Sequence, residues 1–415
     1  MKNLWVILEP YTFLWSNSKR ILLYNSLSQK AFLIKNNKIL NSIILELEDK
    51  RNLYCIPIKE KILEDLYVKK FIRTLRYSYC GDIISQELCK NKPLVIHPSP
   101  NINEDDRETT EIQNKELLGK NILNNLITVD VYLGGACSTG CTCCKYKYKQ
   151  ICWCKPDNNI FDYHMLCELL NEIDDLKLAK INLIGNIFLY SQSYNIISIL
   201  KDCSLKKTFT FDYHFAFKYN DKIIEFLKYG IKINLLIGNS DNIEQLLMLP
   251  FIHNNNIEYS FSVESVEDFF FFSNLIFKHN LKNTAIYPYF NGKNSTFFEQ
   301  YVFQNENDIL STKLKRKDIF ANKTINSNFF GKIVILPNGN ILPNINSKPI
   351  GNIKNGIKNA IYEEMKNGNY WKKTRSNILP CKQCLFRDLC PPISNYEINM
   401  GKMDLCHINN IFSNK

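Results

Sequence analysis

The chain has 415 residues, 45% of them hydrophobic, with 52 Lys and Arg against 41 Asp and Glu for a formal net charge of +11. A chain of this length and apolar content builds two or three domains with their own cores, which excludes a disordered tail and a small disulfide scaffold. The basic residues are scattered, with runs only at Lys145–Lys149 and Lys313–Lys317, which argues against nucleic acid as the main partner.

The sequence pattern of residues 1–90 predicts a small compact domain. Short apolar stretches begin at Trp5 and give way to helical patterns at Ile39–Leu47 and Leu66–Tyr79. These patterns indicate a three-stranded unit with two or three helices. The opening apolar run, Leu4–Leu8, is too short for an export signal. We therefore expect a cytoplasmic protein with reduced thiols.

Residues 91–125 are polar and predict a linker, and residues 126–320 predict an α/β domain. After a strand at Ile127–Leu133, strand and helix patterns alternate, and strands recur about every 25 residues, the size of a β/α unit. Six strands in this order indicate a parallel sheet or a partial (β/α)6 barrel of the TIM type. Reactive groups are expected on the loops after the carboxyl ends of its strands. No apolar run reaches the roughly 18 residues that a membrane span needs.

Eight of the 15 cysteines fall into two dense clusters, and clustered cysteines in a reducing compartment are commonly metal ligands. In the first cluster, Cys137, Cys141 and Cys144 have the spacing CxxxCxxC directly after the first strand. Three thiolates leave one corner of a 4Fe–4S cluster free to bind a cosubstrate. Zinc is the alternative, with a fourth sulfur from one of three further cysteines whose roles stay open: Cys143, Cys152 and Cys154.

The second cluster lies in residues 321–415. A hairpin around Pro337–Gly339 and a helix at Ile357–Tyr370 precede four cysteines, namely Cys381, Cys384, Cys390 and Cys406. The segment has too many loops to be held by burial alone, and four cysteines can close a metal site completely. We expect a structural or electron-transferring centre. Four sulfurs suit iron–sulfur and zinc alike, and the neighbouring first cluster favours iron.

The strand, the CxxxCxxC loop, the β/α repeats and the terminal cysteines resemble a radical S-adenosylmethionine (SAM) protein with a SPASM-type extension, over residues 126–415. The resemblance implies a 4Fe–4S cluster that binds SAM and cleaves it. The resulting radical would take a hydrogen atom from a peptide. The resemblance also implies an auxiliary 4Fe–4S cluster in the extension. Residues 5–85 are similar in pattern to the winged-helix-like module that captures a precursor peptide by strand addition. Residues 390–407 further resemble the pseudo-radical-SAM proteins of Bacteroidales peptide-modification systems.

The sequence departs from that family at the SAM site. The family has a Gly-Gly-Glu-Pro segment whose carboxylate holds the amino group of SAM, and here Gly185 and Asn186 stand in its place. We expect Gly185 beside the methionine part of SAM. With Asn186 in place of the family's glutamate, a charge-assisted hydrogen bond worth about 1.5–3 kcal/mol is replaced by a neutral one. The family's Arg after the fourth strand is also missing from residues 237–241, so SAM binding is expected to be weak.

A second departure lies in the extension. Asn344 and Ser394 stand where the family has ligands of an inner auxiliary cluster. The four remaining cysteines match the ligands of the outer auxiliary cluster, so the resemblance implies one auxiliary centre. Because the inner cluster is the one nearer the substrate, its loss points away from chemistry.

Other conspicuous residues have structural explanations. His214 is expected to be packed or solvated, and Phe269–Phe272 to form a buried helix face, with a partner-docking surface as the alternative. Five isolated cysteines are expected to be small apolar fillers: Cys55, Cys80, Cys89, Cys167 and Cys203.

Three functions stay open at the level of sequence. The first is an iron–sulfur protein of radical SAM/SPASM type in the modification of a ribosomally made peptide, with SAM cleavage undecided. The second is a catalytically degenerate partner that binds a precursor peptide and docks on an active maturase. The third is a zinc-stabilised nucleic-acid-binding protein, which would need a continuous basic stripe with exposed aromatics.

Overall fold

The structure is a computed structural model and describes residues 3–93, 122–135, 144–174, 176, 180–193, 200, 205–238 and 241–408. Its strands are β1 (Asn3–Leu8), β2 (Thr12–Ser16), β3 (Arg20–Asn25), β4 (Lys30–Lys35), β5 (Cys55–Lys59), β6 (Gly81–Ser85), β7 (Thr128–Gly135), β8 (Asp157–Ile160), β9 (Lys180–Gly185), β10 (Lys206–Asp212), β11 (Lys232–Ile237), β12 (Ile257–Val263), β13 (Thr284–Pro288), β14 (Lys332–Ile335), β15 (Asn340–Leu342) and β16 (Gly351–Asn352).

The helices are named by their ranges. The α-helices are Lys38–Glu48, Leu66–Tyr77, Cys144–Lys147, Tyr163–Ile173, Phe188–Ser193, His214–Lys218, Asn220–Lys228, Ile243–Leu247, Val266–Lys278, Ser295–Tyr301, Glu306–Ser311, Arg316–Thr324, Ile357–Asn367 and Asn395–Met400. Short 3-10 helices are Lys50–Asn52, Glu60–Glu64, Ile122–Asn125, Ile353–Asn355, Arg375–Asn377 and Cys381–Gln383.

The N-terminal unit contains two three-stranded antiparallel sheets, ordered β5-β1-β6 and β2-β3-β4. Ile21 and Leu23 alternate along β3 and pack in one core with the helices Lys38–Glu48 and Leu66–Tyr77. Both helices were predicted, but the prediction of a single three-stranded unit was wrong. Short apolar runs do not reveal which strands pair, and β1 pairs with strands that lie far along the chain.

The central sheet of the described residues runs in the order β13-β12-β11-β10-β9-β7-β14-β15-β16. All neighbours from β13 to β14 are parallel, as alternating strands and helices predict. The fold is therefore α/β with a parallel sheet. One face of the sheet carries the apolar residues that pack in the main core, among them Leu183, Phe209 and Leu235. The opposite face, here called the inner face, carries the intervening residues, among them the buried polar residues Asn182, Thr210 and Ser260.

The C-terminal segment continues the same sheet. The predicted hairpin is formed by β14 and β15, and β14 pairs with β7 in parallel. The helix Ile357–Asn367 then leads to Trp371, which is fully buried in the main core. Residues 332–371 therefore share one sheet and one core with the described part of residues 126–320.

The N-terminal unit packs on the C-terminal cysteine segment. Trp15 and Tyr24, on the β2-β3-β4 sheet, share an apolar cluster with Phe386 and Leu389. The indole N–H of Trp15 donates to Asp388 Oδ2 at 2.7 Å, and both side chains are buried. The two ends of the chain are thus joined by one interface around the terminal cysteines.

The aromatic run in the helix Val266–Lys278 is more exposed than the sequence predicts. The helix face Phe269–Phe272 was expected to be buried, but Phe269, Phe270 and Phe271 are exposed and only Phe272 is covered. Four aromatic residues in a row span more than one face of a helix, so one face of the helix Val266–Lys278 cannot bury them all. No helix in the part of the chain that the structure describes has the length and apolar character to cross a bilayer.

Candidate cofactor and metal sites

The first cysteine loop begins at the carboxyl end of β7. Gly134 and Gly135 end this strand with positive φ angles of +66° and +86°, and a Cβ atom at Gly134 would lie 2.0 Å from the carbonyl oxygen of Asn159. Only glycine allows this close approach of backbone. The predicted ligands Cys137 and Cys141, with Cys143, lie outside the described residues. Cys144 begins the helix Cys144–Lys147.

Gly185 and Asn186 lie at the carboxyl end of the neighbouring strand, β9. Gly185 has a φ angle of +119°, which explains the glycine at this position. The side-chain oxygen Oδ1 of Asn186 is buried and has no hydrogen-bond partner among the described residues. A buried acceptor without a donor is costly, and an ammonium group would satisfy it. This end of the sheet therefore fits the amino group of a SAM-like ligand.

Polar residues line the inner face of the sheet below that edge. Asn182 donates to Asp130 at 3.2 Å and accepts from Thr210 at 2.7 Å. Its amide also lies 3.4 Å from the Cys152 sulfur. The Cys152 side chain is exposed. Desolvation and the charge of Asp130 raise the pKa of Cys152 to about 12, so this thiol is protonated at neutral pH.

The carboxyl end of β11 is occupied by two side chains from the segment after the first cysteine loop. Trp153 and Lys147 are both buried, and a Cβ atom added at Gly238 would lie 3.1 Å from the Trp153 ring and 3.3 Å from Lys147 Nζ. The Lys147 ammonium lies 5.3 Å from the centre of the Trp153 ring and 5.1 Å from that of Tyr289. Its Nζ is 3.5 Å from Glu264 Oε1. Two side chains of the chain itself therefore cover Gly238 at the carboxyl end of the fourth parallel strand.

Hydrogen bonds fix this segment across the sheet edge. Gln150 exchanges two hydrogen bonds with the backbone of Phe290, at 2.8 and 2.9 Å, just beyond β13. The amide of Asn346 donates to the carbonyl of Lys149 at 2.7 Å, from the loop that follows β15. Residues 147–153 are thus tied to both sides of the sheet. The run Lys145–Lys149, which in sequence is a basic patch, is not fully solvated, because Lys147 is covered.

We expect the stem of Lys147, more than its charge, to stabilise this packing. Lys147→Met keeps the stem and removes an ammonium that has no hydrogen-bond partner in the described part of the chain, so the free energy of unfolding should change by less than about 1.5 kcal/mol. Lys147→Ala leaves a cavity and should cost about 2–5 kcal/mol. Urea denaturation measures both. Equal losses in the two variants would show that the ion pair with Glu264 dominates.

Three of the four terminal cysteines, Cys381, Cys384 and Cys390, lie near one buried arginine, Arg375. Cys381 Sγ lies 3.4 Å from Arg375 Nη1, and Cys390 is close enough to interact with the charges of Arg375, Cys381 and Cys406. Cys384 likewise interacts with Cys381 and Cys406. Burial raises the pKa of the Cys390 thiol to about 12, although Arg375 opposes the shift. The fold therefore collects the four predicted ligands from 26 residues of chain, 381–406.

This donor set suits a metal centre in its chemistry: four sulfurs, largely buried, with a positive charge beside them. Within the described ranges, no group of three or more His, Cys, Asp or Glu side chains stands in a metal-binding arrangement. A metal would have to draw the sulfurs together and displace their protons.

Asn344 and Ser394, at the positions of the expected inner ligands, have structural hydrogen bonds instead. Asn344 donates to the side chain of Asn395 at 2.8 Å. Ser394 caps the helix Asn395–Met400 in a reciprocal arrangement with Glu397. Both residues are therefore part of the local fold, as helix and turn caps.

Sequence reasoning missed Lys147, Trp153 and Arg375. Lys147 lies in a basic run that resembles any solvated patch, so no signal distinguished it. Arg375 lies six residues before Cys381, and its guanidinium next to a cysteine cluster was a usable signal. His214, by contrast, has the expected local role, since its ring pairs with Asp212 at 2.6 Å.

Comparison with known proteins gives a fold likeness only. No protein-family model matches the sequence, and no curated protein matches it. Among solved structures, the chain is similar to the crystal structure of Streptococcus suis SuiB bound to S-adenosylmethionine, with 13% identity, a TM-score of 0.40, and coverage of 96% of this chain and 97% of that one. A likeness at this identity and score identifies neither a family nor a function.

Proposed function

We propose that the chain is an iron–sulfur protein of the radical SAM/SPASM type that acts in the modification of a ribosomally made peptide. The observation that carries the proposal is the placement of the buried Arg375 at 3.4 Å from Cys381, with Cys384 and Cys390 near the same charge. The chain's other dense cysteine cluster follows the first strand of a parallel sheet. Reactive loops in such sheets follow the carboxyl ends of the strands. When bound, the first cluster supplies the electron for reductive cleavage of SAM.

In this proposal, Cys137, Cys141 and Cys144 hold the first 4Fe–4S cluster and the terminal four cysteines hold an auxiliary one. Asn186 would accept a hydrogen bond from the amino group of SAM through its otherwise unsatisfied oxygen, beside Gly185. The N-terminal unit would capture the precursor peptide. Its sheets have edge strands, β5 and β6 in one and β2 and β4 in the other, and an extended peptide can add to such an edge.

The test is anaerobic reconstitution followed by incubation with SAM and dithionite. Two 4Fe–4S clusters give a brown protein with about eight irons per chain, and an active enzyme releases 5′-deoxyadenosine. Cys141→Ala should then abolish both SAM cleavage and peptide modification. A colourless, zinc-loaded protein would contradict the proposal and would favour the zinc-stabilised nucleic-acid-binding protein instead.

A second candidate function is favoured by the filled sheet edge at β11. Trp153 and Lys147 occupy the carboxyl end of this strand, where a ligand of a parallel sheet would otherwise bind. The neutral Asn186, and the caps formed by Asn344 and Ser394, agree with this observation. The chain would then be a catalytically degenerate partner that keeps its clusters for structure, binds the precursor peptide and docks on an active maturase.

The two functions differ in one measurement. At full iron occupancy, the enzyme releases 5′-deoxyadenosine and the degenerate partner does not. The degenerate partner should still bind the precursor peptide, and the peptide should be modified only when an intact maturase is added. Equilibrium dialysis with SAM provides a further comparison, because a filled edge at β11 predicts weak or absent binding even with both clusters present.

A further inference from the structure

Arg375 is held in place from several sides. Its side chain is 8% exposed, and it lies at the start of the 3-10 helix Arg375–Asn377. Its Nε donates to the carbonyl of Pro391, and its Nη1 donates to the carbonyl of Met403 at 3.2 Å. The same Nη1 lies 3.4 Å from Cys381 Sγ. The guanidinium is therefore fixed by two backbone carbonyls of the segment between Cys390 and Cys406.

Glu397 provides the opposite charge. Its Oε1 lies 2.9 Å from Arg375 Nη1, and both side chains are buried. Its other oxygen, Oε2, accepts from the backbone N–H of Ser394 at 2.7 Å. The carboxylate is thus held by the helix cap and cannot turn away. The buried group beside the thiols consists of one positive and one negative charge, and the positive one lies 3.4 Å from the Cys381 sulfur.

Charges close to a buried metal centre affect its reduction potential strongly, because four thiolate ligands make the centre itself negatively charged. An iron–sulfur centre with four thiolates is anionic, and it becomes more negative on reduction. A nearby cation and N–H hydrogen bonds to sulfur stabilise the reduced state and raise the reduction potential, whereas a nearby carboxylate lowers it. Burial strengthens both effects, since little water screens them.

We propose that Arg375, opposed by Glu397, sets the reduction potential of the centre held by Cys381, Cys384, Cys390 and Cys406. This inference rests on the proposed iron–sulfur function. Arg375 acts as a positioning residue: it would contact a ligand sulfur and not the metal. The reduction potential set in this way would allow the centre to exchange electrons. The centre would then have a role in electron transfer as well as in structure.

The test is a redox titration of two variants with opposite expected effects. Removing the positive charge in Arg375→Gln should make reduction at least tenfold less favourable, a shift of about 59 mV to lower potential for one electron. Removing the negative charge in Glu397→Gln should shift the potential by a similar amount in the other direction. Gln at position 397 can still complete the helix cap, so this variant is expected to fold even if Arg375→Gln does not.

The titration uses the full chain carrying Cys141→Ala, so that only the C-terminal centre contributes to the EPR signal. Arg375→Lys serves as the control, because it keeps the charge and should shift the potential less than Arg375→Gln. A purely structural Arg375 would lower iron content in its variants without moving the potential of the remaining centres. Equal potentials in wild type and Glu397→Gln would therefore overturn the inference. Absence of iron in the wild type would instead overturn the proposed function.

Discussion

Cys390→Ser should remove the C-terminal centre and spare the first one, so that iron after anaerobic reconstitution falls from about eight to about four per chain. Cys390 is buried next to Arg375 and shares the apolar cluster of Phe386 and Leu389. A serine hydroxyl stays protonated and is a poor ligand for iron. Iron and sulfide analysis with visible absorption measures the loss.

The control is Cys167→Ser, because Cys167 lies half-exposed on the helix Tyr163–Ile173, away from both clusters in sequence. It should retain about eight irons. Unchanged iron in Cys390→Ser would show that this cysteine is an apolar filler, and the closed four-sulfur centre would have to be abandoned.

The same centre should be lost on acidification. Burial raises the pKa of Cys390 to about 12 and also raises the pKa values of Cys381 and Cys384. The metal-free thiols are therefore protonated at neutral pH, and metal binding releases their protons. Affinity for the metal consequently falls as the pH is lowered. Metal release into a chelator, followed from alkaline to acidic pH, should increase in that direction.

Trp15→Ala should weaken the attachment of the N-terminal unit and cost about 3–5 kcal/mol in the free energy of unfolding. Trp15 is 5% exposed, packs against the C-terminal cysteine segment, and donates to Asp388 at 2.7 Å. The variant loses the buried ring and leaves one carboxylate oxygen of Asp388 short of a donor. Urea denaturation with probes in each unit should show the N-terminal unit unfolding separately.

Trp5→Ala is the matched control, since Trp5 lies half-buried on β1 and bonds to the carbonyl of Cys89 at 3.0 Å, within the N-terminal unit. It should lower the stability of that unit without uncoupling it from the rest of the chain. If Trp15→Ala unfolded in one transition with unchanged midpoint, the interface around Asp388 would contribute little to stability.

Local patterns predicted the elements of this fold well. From Lys180 to Pro288, strands alternate with helices among the described residues, as the sequence patterns predicted, because each element buries one face against its neighbour. The hairpin at Pro337–Gly339 was predicted from its turn residues. The pairing of β1 with β5 and β6 was not, because pairing between distant strands leaves no trace in local periodicity.

The residues of the candidate sites, too, were predicted only in part from the sequence. Cysteine spacing alone predicts Cys381, Cys384, Cys390 and Cys406 as a set of metal ligands, and this stays a prediction. Gly185 and Asn186 were found through a family resemblance, and the structure adds that the Asn186 oxygen lacks a donor among the described residues. The exposure of Phe269, Phe270 and Phe271 was missed, because a run of apolar residues does not specify which side faces the core.

The sequence by itself determined the α/β alternation, the two cysteine clusters and the absence of a charged residue at Asn186. Only the tertiary structure decided that Arg375 and Glu397 lie beside the terminal thiols, that Lys147 is covered, and that Trp153 fills the end of β11. The physical reason is that spacing and periodicity report neighbours along the chain. The charge and the free space around a reactive group are set by residues that are distant in sequence and are brought together by packing.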